Sequence, residues 1–208
     1  MTIRRGLYLL TRETRDTAAL LATVRAAIDG GAVLVQYRDK SNDAASRSAQ
    51  ARALVALGHA TGVPILVNDD VSLARECGAA GVHLGRDDVP FDEARRALGP
   101  GALIGVSCYD TLERAQDAAR HGASYVAFGS FHASPTKPGA VRAVPSLLEA
   151  ARGLPVPIVA IGGITPENGA ALVAAGADLL AVSSAVFDAP DPRAAAFALT
   201  SLFHGTRA

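Results

Sequence analysis

Short apolar runs alternate along this chain with alanine-rich stretches decorated by charge. The apolar runs fall at 7–10, 33–37, 65–67, 81–84, 103–106, 125–128, 158–161 and 179–182. Runs this short, bounded by Gly, Pro and charged residues, predict buried strands. Between them the pattern predicts helices near 16–29, 43–60, 71–77, 90–98, 111–120, 145–152, 167–175 and 191–203. Asp43 is placed to cap the second helix and Asp110 or Thr111 the fifth, while Thr165-Pro166-Glu167 opens the seventh with an early Pro. Gly62, Gly78, Gly122 and Gly176 stand just past predicted helix ends, where a left-handed residue is often wanted.

Two helix-to-strand joints resemble each other, His121-Gly122-Ala123-Ser124-Tyr125 and Ala175-Gly176-Ala177-Asp178-Leu179, with Cys77-Gly78-Ala79-Ala80-Gly81 a looser third. The repeating unit is a strand followed by a helix, recurring through the whole chain. That pattern predicts an α/β fold, a single-domain parallel (β/α)8 TIM barrel over residues 1–208. An open doubly wound sheet often carries a Gly-rich turn after its first strand, whereas here that strand runs into Thr11-Arg12-Glu13-Thr14.

In a barrel, functional residues gather at the C-terminal ends of the strands. The stretch 33–40 follows this rule. Alternation puts Leu34, Gln36, Arg38 and Lys40 on one face and Val33, Val35 and Tyr37 on the other, towards a helix layer. From Gln36 to Lys40 the extended chain spans about 13 Å, the length of a small heterocycle carrying a diphosphate. Inward cations are costly unless an anion or water meets them. A strand end fraying into a basic loop would read the same way.

Other strand ends add polar groups: Asn68-Asp69-Asp70, Arg86-Asp87-Asp88, Ser107, the segment Ser130 to Lys137, Gly162-Gly163 and Ser183-Ser184. Gly162-Gly163 with a short helix opening near Ser183 suits a phosphate, because the loops after strands seven and eight are the usual phosphate site of such barrels. A tight turn alone would also want those glycines. The carboxylates of 68–70 and 87–88 suit Mg²⁺ shared with phosphate oxygens, although any one of these Asp residues would serve equally as a helix cap. Their coincidence with Arg38, Lys40 and Lys137 favours a metal–diphosphate site. Ser134-Pro135-Thr136-Lys137-Pro138-Gly139 has the polarity and length of a binding loop, or of an ordinary surface loop. His83 lies within a strand and is expected to be structural. His132, on a loop, is the histidine placed for proton transfer. No inward strand position is expected to offer an acidic or histidine base.

Charge limits the partners. Lys and Arg total 20, Asp and Glu total 20, and the formal net charge is zero, so neither nucleic acid nor a membrane surface is an expected partner. Arg4 and Arg5 precede an apolar run too short for a signal-peptide core, and no stretch is long enough to span a bilayer. Cys77 and Cys108 lack metal-ligand spacing and fit a reducing cytoplasm. Cys108 has no basic neighbour in sequence to make it a nucleophile.

Taken together, the motifs resemble the thiamine phosphate synthase family over nearly the full chain. They are QYRDK at 36–40, ND at 68–69, GVHLGRDD at 81–88, IGVSCYD at 104–110, YVAFGSFHASPTKPGA at 125–140, AIGGITPEN at 160–168 and AVSSAVF at 181–187. The resemblance implies a transferase that couples a hydroxymethylpyrimidine diphosphate to a thiazole phosphate, releasing pyrophosphate with Mg²⁺ as cofactor. By position, Gln36, Arg38, Lys40, Asn68 and Lys137 would hold the pyrimidine diphosphate, with Ser107 beside the pyrimidine. Asp69 and Asp88 would hold Mg²⁺. Ser134, Thr136, Gly163, Ser183 and Ser184 would take the thiazole phosphate. Arg38, Lys40 and Lys137 would meet the departing diphosphate. The partners are two small phosphorylated substrates, in the cytoplasm, and a homo-oligomer is allowed. The family often has Gln where Arg86 stands, His where Tyr109 stands, and Thr where Ser134 stands.

Three other readings use the same barrel. A thiazole tautomerase would rely on His132 and need no diphosphate site. A non-catalytic phosphate-ligand sensor need not bind Mg²⁺. A sugar-phosphate isomerase or epimerase would need an inward base.

Overall fold

The computed structural model describes residues 3–40, 43–133 and 142–204. The eight predicted strands form: β1 Gly6–Leu10, β2 Ala32–Tyr37, β3 Ile65–Asn68, β4 Gly81–Leu84, β5 Leu103–Tyr109, β6 Tyr125–Phe128, β7 Ile158–Ile161 and β8 Leu179–Val182. All pairs are parallel, and the order β1-β2-β3-β4-β5-β6-β7-β8 closes on itself. The expected (β/α)8 barrel is the fold.

The helices alternate with the strands: α1 Thr17–Asp29, α2 Ala44–Thr61, α3 Val71–Cys77, α4 Phe91–Leu98, α5 Leu112–Arg120, α6 Pro145–Ala151, α7 Pro166–Ala175 and α9 Pro192–Ser201. The short α8 Ser184–Phe187 precedes α9. Asp43 caps α2 by accepting the Ser46 N–H, and the Thr165/Asn168 capping box opens α7. Thr111 stands at the N-cap of α5 without a side-chain bond.

The two similar joints do the same work. Ser124 Oγ accepts the N–H of Ile104, and Asp178 Oδ2 accepts the N–H of Ile158, while their own N–H groups donate back to the same residues' carbonyls. Each joint thereby ties an incoming strand to the start of the strand beside it.

Two apolar layers follow from the alternation. Val35, Tyr37, Val67, Val82, Leu84, Ile104 and Val126 face the helices. Tyr8, Leu34, Leu66, Leu103, Tyr125, Val159 and Leu179 fill the barrel. Val33 departs from its expected face: it packs against the barrel-filling cluster. The β1–β2 register shifts between Leu7 and Tyr8 beside it, which breaks the alternation there. The Tyr125 ring has room because residue 105 is Gly; a side chain there would collide with the ring. Among the described residues no helix is long and apolar enough to cross a membrane.

Candidate active site

The C-terminal ends of β2, β3 and β4 bring three charged groups together. Lys40 Nζ lies 2.9 Å from Asp69 Oδ2. The Asp88 carboxyl is close enough to Asp69 for each to shift the other's titration. Asp69 has φ 63°, a left-handed conformation uncommon outside Gly, directly after β3. Its N–H is held by the His83 carbonyl at 2.8 Å. Backbone strain of this kind marks a residue whose placement the surrounding structure imposes. Asp88 Oδ2 accepts the Gly85 N–H at 2.6 Å, which turns the loop after β4 back towards Asp69.

The two carboxyls are unequal. Burial works against charge on Asp69, yet hydrogen bonds from Lys40 and Asp88 outweigh it and hold its carboxyl below the ordinary range. Burial raises the Asp88 carboxyl; the Gly85 N–H opposes that, and the neighbouring Asp69 pushes it further up. Two carboxyls this close repel each other when both are charged, so the pair favours a positive partner. Among the described residues no group of three His, Cys, Asp or Glu is assembled as a metal site. Two adjacent carboxylates are the donor set Mg²⁺ accepts when water and phosphate oxygens complete its shell, so these residues fit the ion.

Of the other candidate caps, Asp70 is one. It accepts the Leu73 N–H at the start of α3 and pairs with Arg47 at 3.0 Å. Thr11 pins the end of β2: its N–H donates to the Gln36 carbonyl, and its hydroxyl accepts the Arg38 N–H at 2.8 Å. Arg114 from α5 donates to the Ser107 carbonyl at 2.7 Å and to Gly85 at 3.4 Å, linking the ends of β5 and β4. Thr11 and Arg114 lie in stretches whose sequence gives no sign of these partners. Asn68 closes β3, half-buried, and its carbonyl accepts the Asp70 N–H.

Deeper in the barrel lies a hydrogen-bonded chain of five side chains. Gln36 Nε2 donates to the Tyr8 hydroxyl at 2.6 Å, and the Tyr8 and Tyr125 hydroxyls meet at 2.7 Å. The Tyr125 hydroxyl is 2.8 Å from His83 Nδ1, and His83 Nε2 is 2.8 Å from Ser107 Oγ. Leaving any of these buried groups unpaired would cost about 1–3 kcal/mol. The expectation that no inward strand position carries a histidine is corrected here. His83 alternates with the outward Val82 and Leu84, so it points inward, but both ring nitrogens are engaged within the barrel. A sugar-phosphate isomerase reading loses its base accordingly. Burial pushes Cys108 up to about 12, Arg114 opposing only in part, so no thiolate nucleophile forms.

Elsewhere on the same rim, after β7, Gly162 and Gly163 have φ 109° and 60°. Side chains at these positions would run into Ser130 and Ala133, so the turn requires glycine for packing as well as for any ligand. Ser183 is the N-cap of α8, whose first amides have no partner within the helix. His132 is tied through its N–H to Gly162, and its Nε2 is buried without a partner among the described residues. Ser134, Thr136 and Lys137 lie outside the described residues.

The comparisons with known proteins agree with one another. The sequence model described as thiamine monophosphate synthase matches residues 7–186. The thiamine-phosphate synthase of Thiobacillus denitrificans is 59% identical over 199 residues, covering 95% of this chain and 94% of that protein. The thiamine-phosphate synthase of Aromatoleum aromaticum is 54% identical over 200 residues, covering 96% of each. Among solved structures, the thiamine phosphate pyrophosphorylase from Pyrococcus furiosus superposes with a TM-score of 0.87 at 31% identity, covering 98% of this chain and 97% of the other.

Proposed function

This chain belongs to the thiamine monophosphate synthase family of transferases, and from that membership we propose that it joins 4-amino-2-methyl-5-hydroxymethylpyrimidine diphosphate to thiazole phosphate. The products are thiamine phosphate and pyrophosphate. The observation that carries the reading is the Lys40–Asp69–Asp88 constellation on adjacent strand ends. A cation-binding carboxylate pair beside an ammonium is what a diphosphate leaving group requires.

The methylene C–O bond to the diphosphate breaks first, and its electron pair leaves with pyrophosphate. The aminopyrimidine carries the resulting cation. The thiazole nitrogen then supplies its lone pair to form the C–N bond. No general base is needed, because that nitrogen has no proton to lose. Charge grows on the departing oxygens, and Arg38, Lys40 and Lys137 are set to receive it. When bound by Asp69 and Asp88, Mg²⁺ adds positive charge at the same oxygens. Gln36, Asn68 and Ser107 orient the pyrimidine diphosphate. Ser134, Thr136, Gly163 and the Ser183-Ser184 turn hold the thiazole phosphate and aim its nitrogen, a gain from positioning. Both cysteines are free, Cys108 being buried and Cys77 half-buried, which suits a reducing cytoplasm.

The test is to mix both substrates with and without Mg²⁺ and assay pyrophosphate. Release that requires both substrates and the metal is expected. Conversion of the thiazole alone would point to the tautomerase reading instead. Binding heats with no product would point to a sensor.

A further inference from the structure

Helix α5 begins on a local misfit. Thr111 is its N-cap, so Leu112, Glu113 and Arg114 are its first three helical residues. The third place after a Thr cap is where Glu or Gln normally reaches back to close a capping box, and Asn168 does this in α7. In α5 that place holds a cation, at the helix end where exposed N–H groups favour negative charge. Among the described residues Thr111 makes no side-chain cap bond to offset this. Asp117, one turn along, pairs with Arg120 at 3.1 Å. The half-buried Arg114 guanidinium turns to backbone carbonyls: Nε donates to Ser107 at 2.7 Å and Nη2 to Gly85 at 3.4 Å. A local rule broken in this way points to a functional demand elsewhere.

Those two carbonyls stand where a sheet joint ends. The last pair of the β4–β5 ladder is Leu84 beside Val106, and Gly85 and Ser107 are the next residue on each strand. From there β5 follows β6 through a bulge between Ser107 and Tyr109, and Tyr109 takes a left-handed φ of 57°. Arg114 spans the gap that the ladder leaves, with a planar fork whose N–H directions are fixed relative to one another. Gly85 is thereby held at both of its backbone groups, its carbonyl by Arg114 and its N–H by Asp88 Oδ2 at 2.6 Å. We infer that Arg114 is a positioning residue: from outside the barrel it sets the spacing of the β4 and β5 ends, and through Gly85 it holds the Asp88 carboxyl where a divalent cation can use it. This rests on the reaction proposed above, which puts Asp88 at Mg²⁺ and Ser107 at the pyrimidine. Arg114 acts through those two residues, not by contact with the reacting groups. A glutamine at 114 lacks the length and the fork to reach both carbonyls. The end of β4 is then free to drift from β5, and Asp88 goes with it.

Mn²⁺ accepts the same carboxylate, water and phosphate oxygens as Mg²⁺ and reports its own binding by EPR. Its affinity is measured for wild type, Arg114→Gln and Arg95→Gln, each with pyrophosphate present. Arg95 is the matched control: it donates to the carbonyls of Ala102 at 2.7 Å and Gly122 at 3.2 Å, ahead of β5 and β6 at the other end of the barrel. Both variants should lose Tm. Only Arg114→Gln should bind Mn²⁺ more weakly, by about 10-fold or more, the scale for a group that orients a metal ligand. Wild-type affinity in Arg114→Gln overturns the proposal. So does an equal loss in Arg95→Gln, which would report general loosening, and so does a wild type that binds no Mn²⁺. Arg114→Lys covers the case in which the glutamine variant does not fold. It keeps the charge without the fork, so its Mn²⁺ affinity should also fall; wild-type affinity there would mean that charge alone suffices, and would overturn the proposal. Pyrophosphate release from the two substrates by wild type is measured separately. Its absence removes the transfer reaction, while the Mn²⁺ comparison still judges Arg114.

Discussion

The Arg86 guanidinium lies 4.7 Å from the centroid of the Tyr109 ring, and the Arg86 N–H donates to the Tyr109 hydroxyl at 3.2 Å. Both positions stand out in the sequence as expected departures from the family pattern, and the two residues contact each other. The stack gives the Arg86 charge a partner beside Asp88. An exposed contact of this kind is worth about 0.5–1 kcal/mol. Arg86→Gln should lose about that much stability in urea. It should also move the Mg²⁺ midpoint for activity to lower concentration, since a positive charge near the carboxylates is gone. An unchanged midpoint would mean that Arg86 does not sense the metal.

Asp88→Asn should raise the Mg²⁺ concentration needed for half-maximal activity by about 10-fold or more, with the barrel intact by circular dichroism. Asparagine keeps an acceptor for the Gly85 N–H but lacks the charge. If the Mg²⁺ titration of the variant overlays that of wild type, Asp88 is not a ligand.

Lys137→Ala should lower the single-turnover rate by about 100-fold or more, the scale seen when one donor to developing negative charge is removed. Substrate affinity should change less. A rate near that of wild type would take Lys137 out of the reaction.

Asp43→Ala should lower the Tm at pH 7, and the loss should shrink on acidification. The hydrogen bond from Ser46 N–H holds the Asp43 carboxyl below its ordinary value of 3.8. A depressed carboxyl stabilises the fold above the unfolded value, and that stability is lost as pH falls through the folded one. Thermal melts of both proteins should therefore draw together as the pH falls below the ordinary carboxylate range. A Tm difference that persists there would assign the effect to packing rather than to the cap.

Much of the site was legible before any coordinates. Lys40, Asp69 and Asp88 fall at the ends of three successive strands, and period-two alternation with strand counting suffices to put such ends on one rim. Asp70 could not be separated from Asp69 by type, because cap and ligand use the same carboxylate. The left-handed turn at Asp69 separates them, sending one towards Lys40 and the other to the first turn of α3. His83 was recognised as structural, but its inward aim and its link to Ser107 were not. Those depend on Tyr8 and Tyr125, distant in sequence, meeting across the barrel.

The order of strands and helices, their caps and the polar rim were all determined by the sequence itself, because each depends on residues within a turn or two of one another. Closure of the barrel decided the rest. It joined β1 to β8, set the β1–β2 shift that carries Val33 inward, and brought hydroxyls 117 residues apart to 2.7 Å. Contacts of that kind arise from the circumference and stagger of eight strands taken together, and no local pattern contains them.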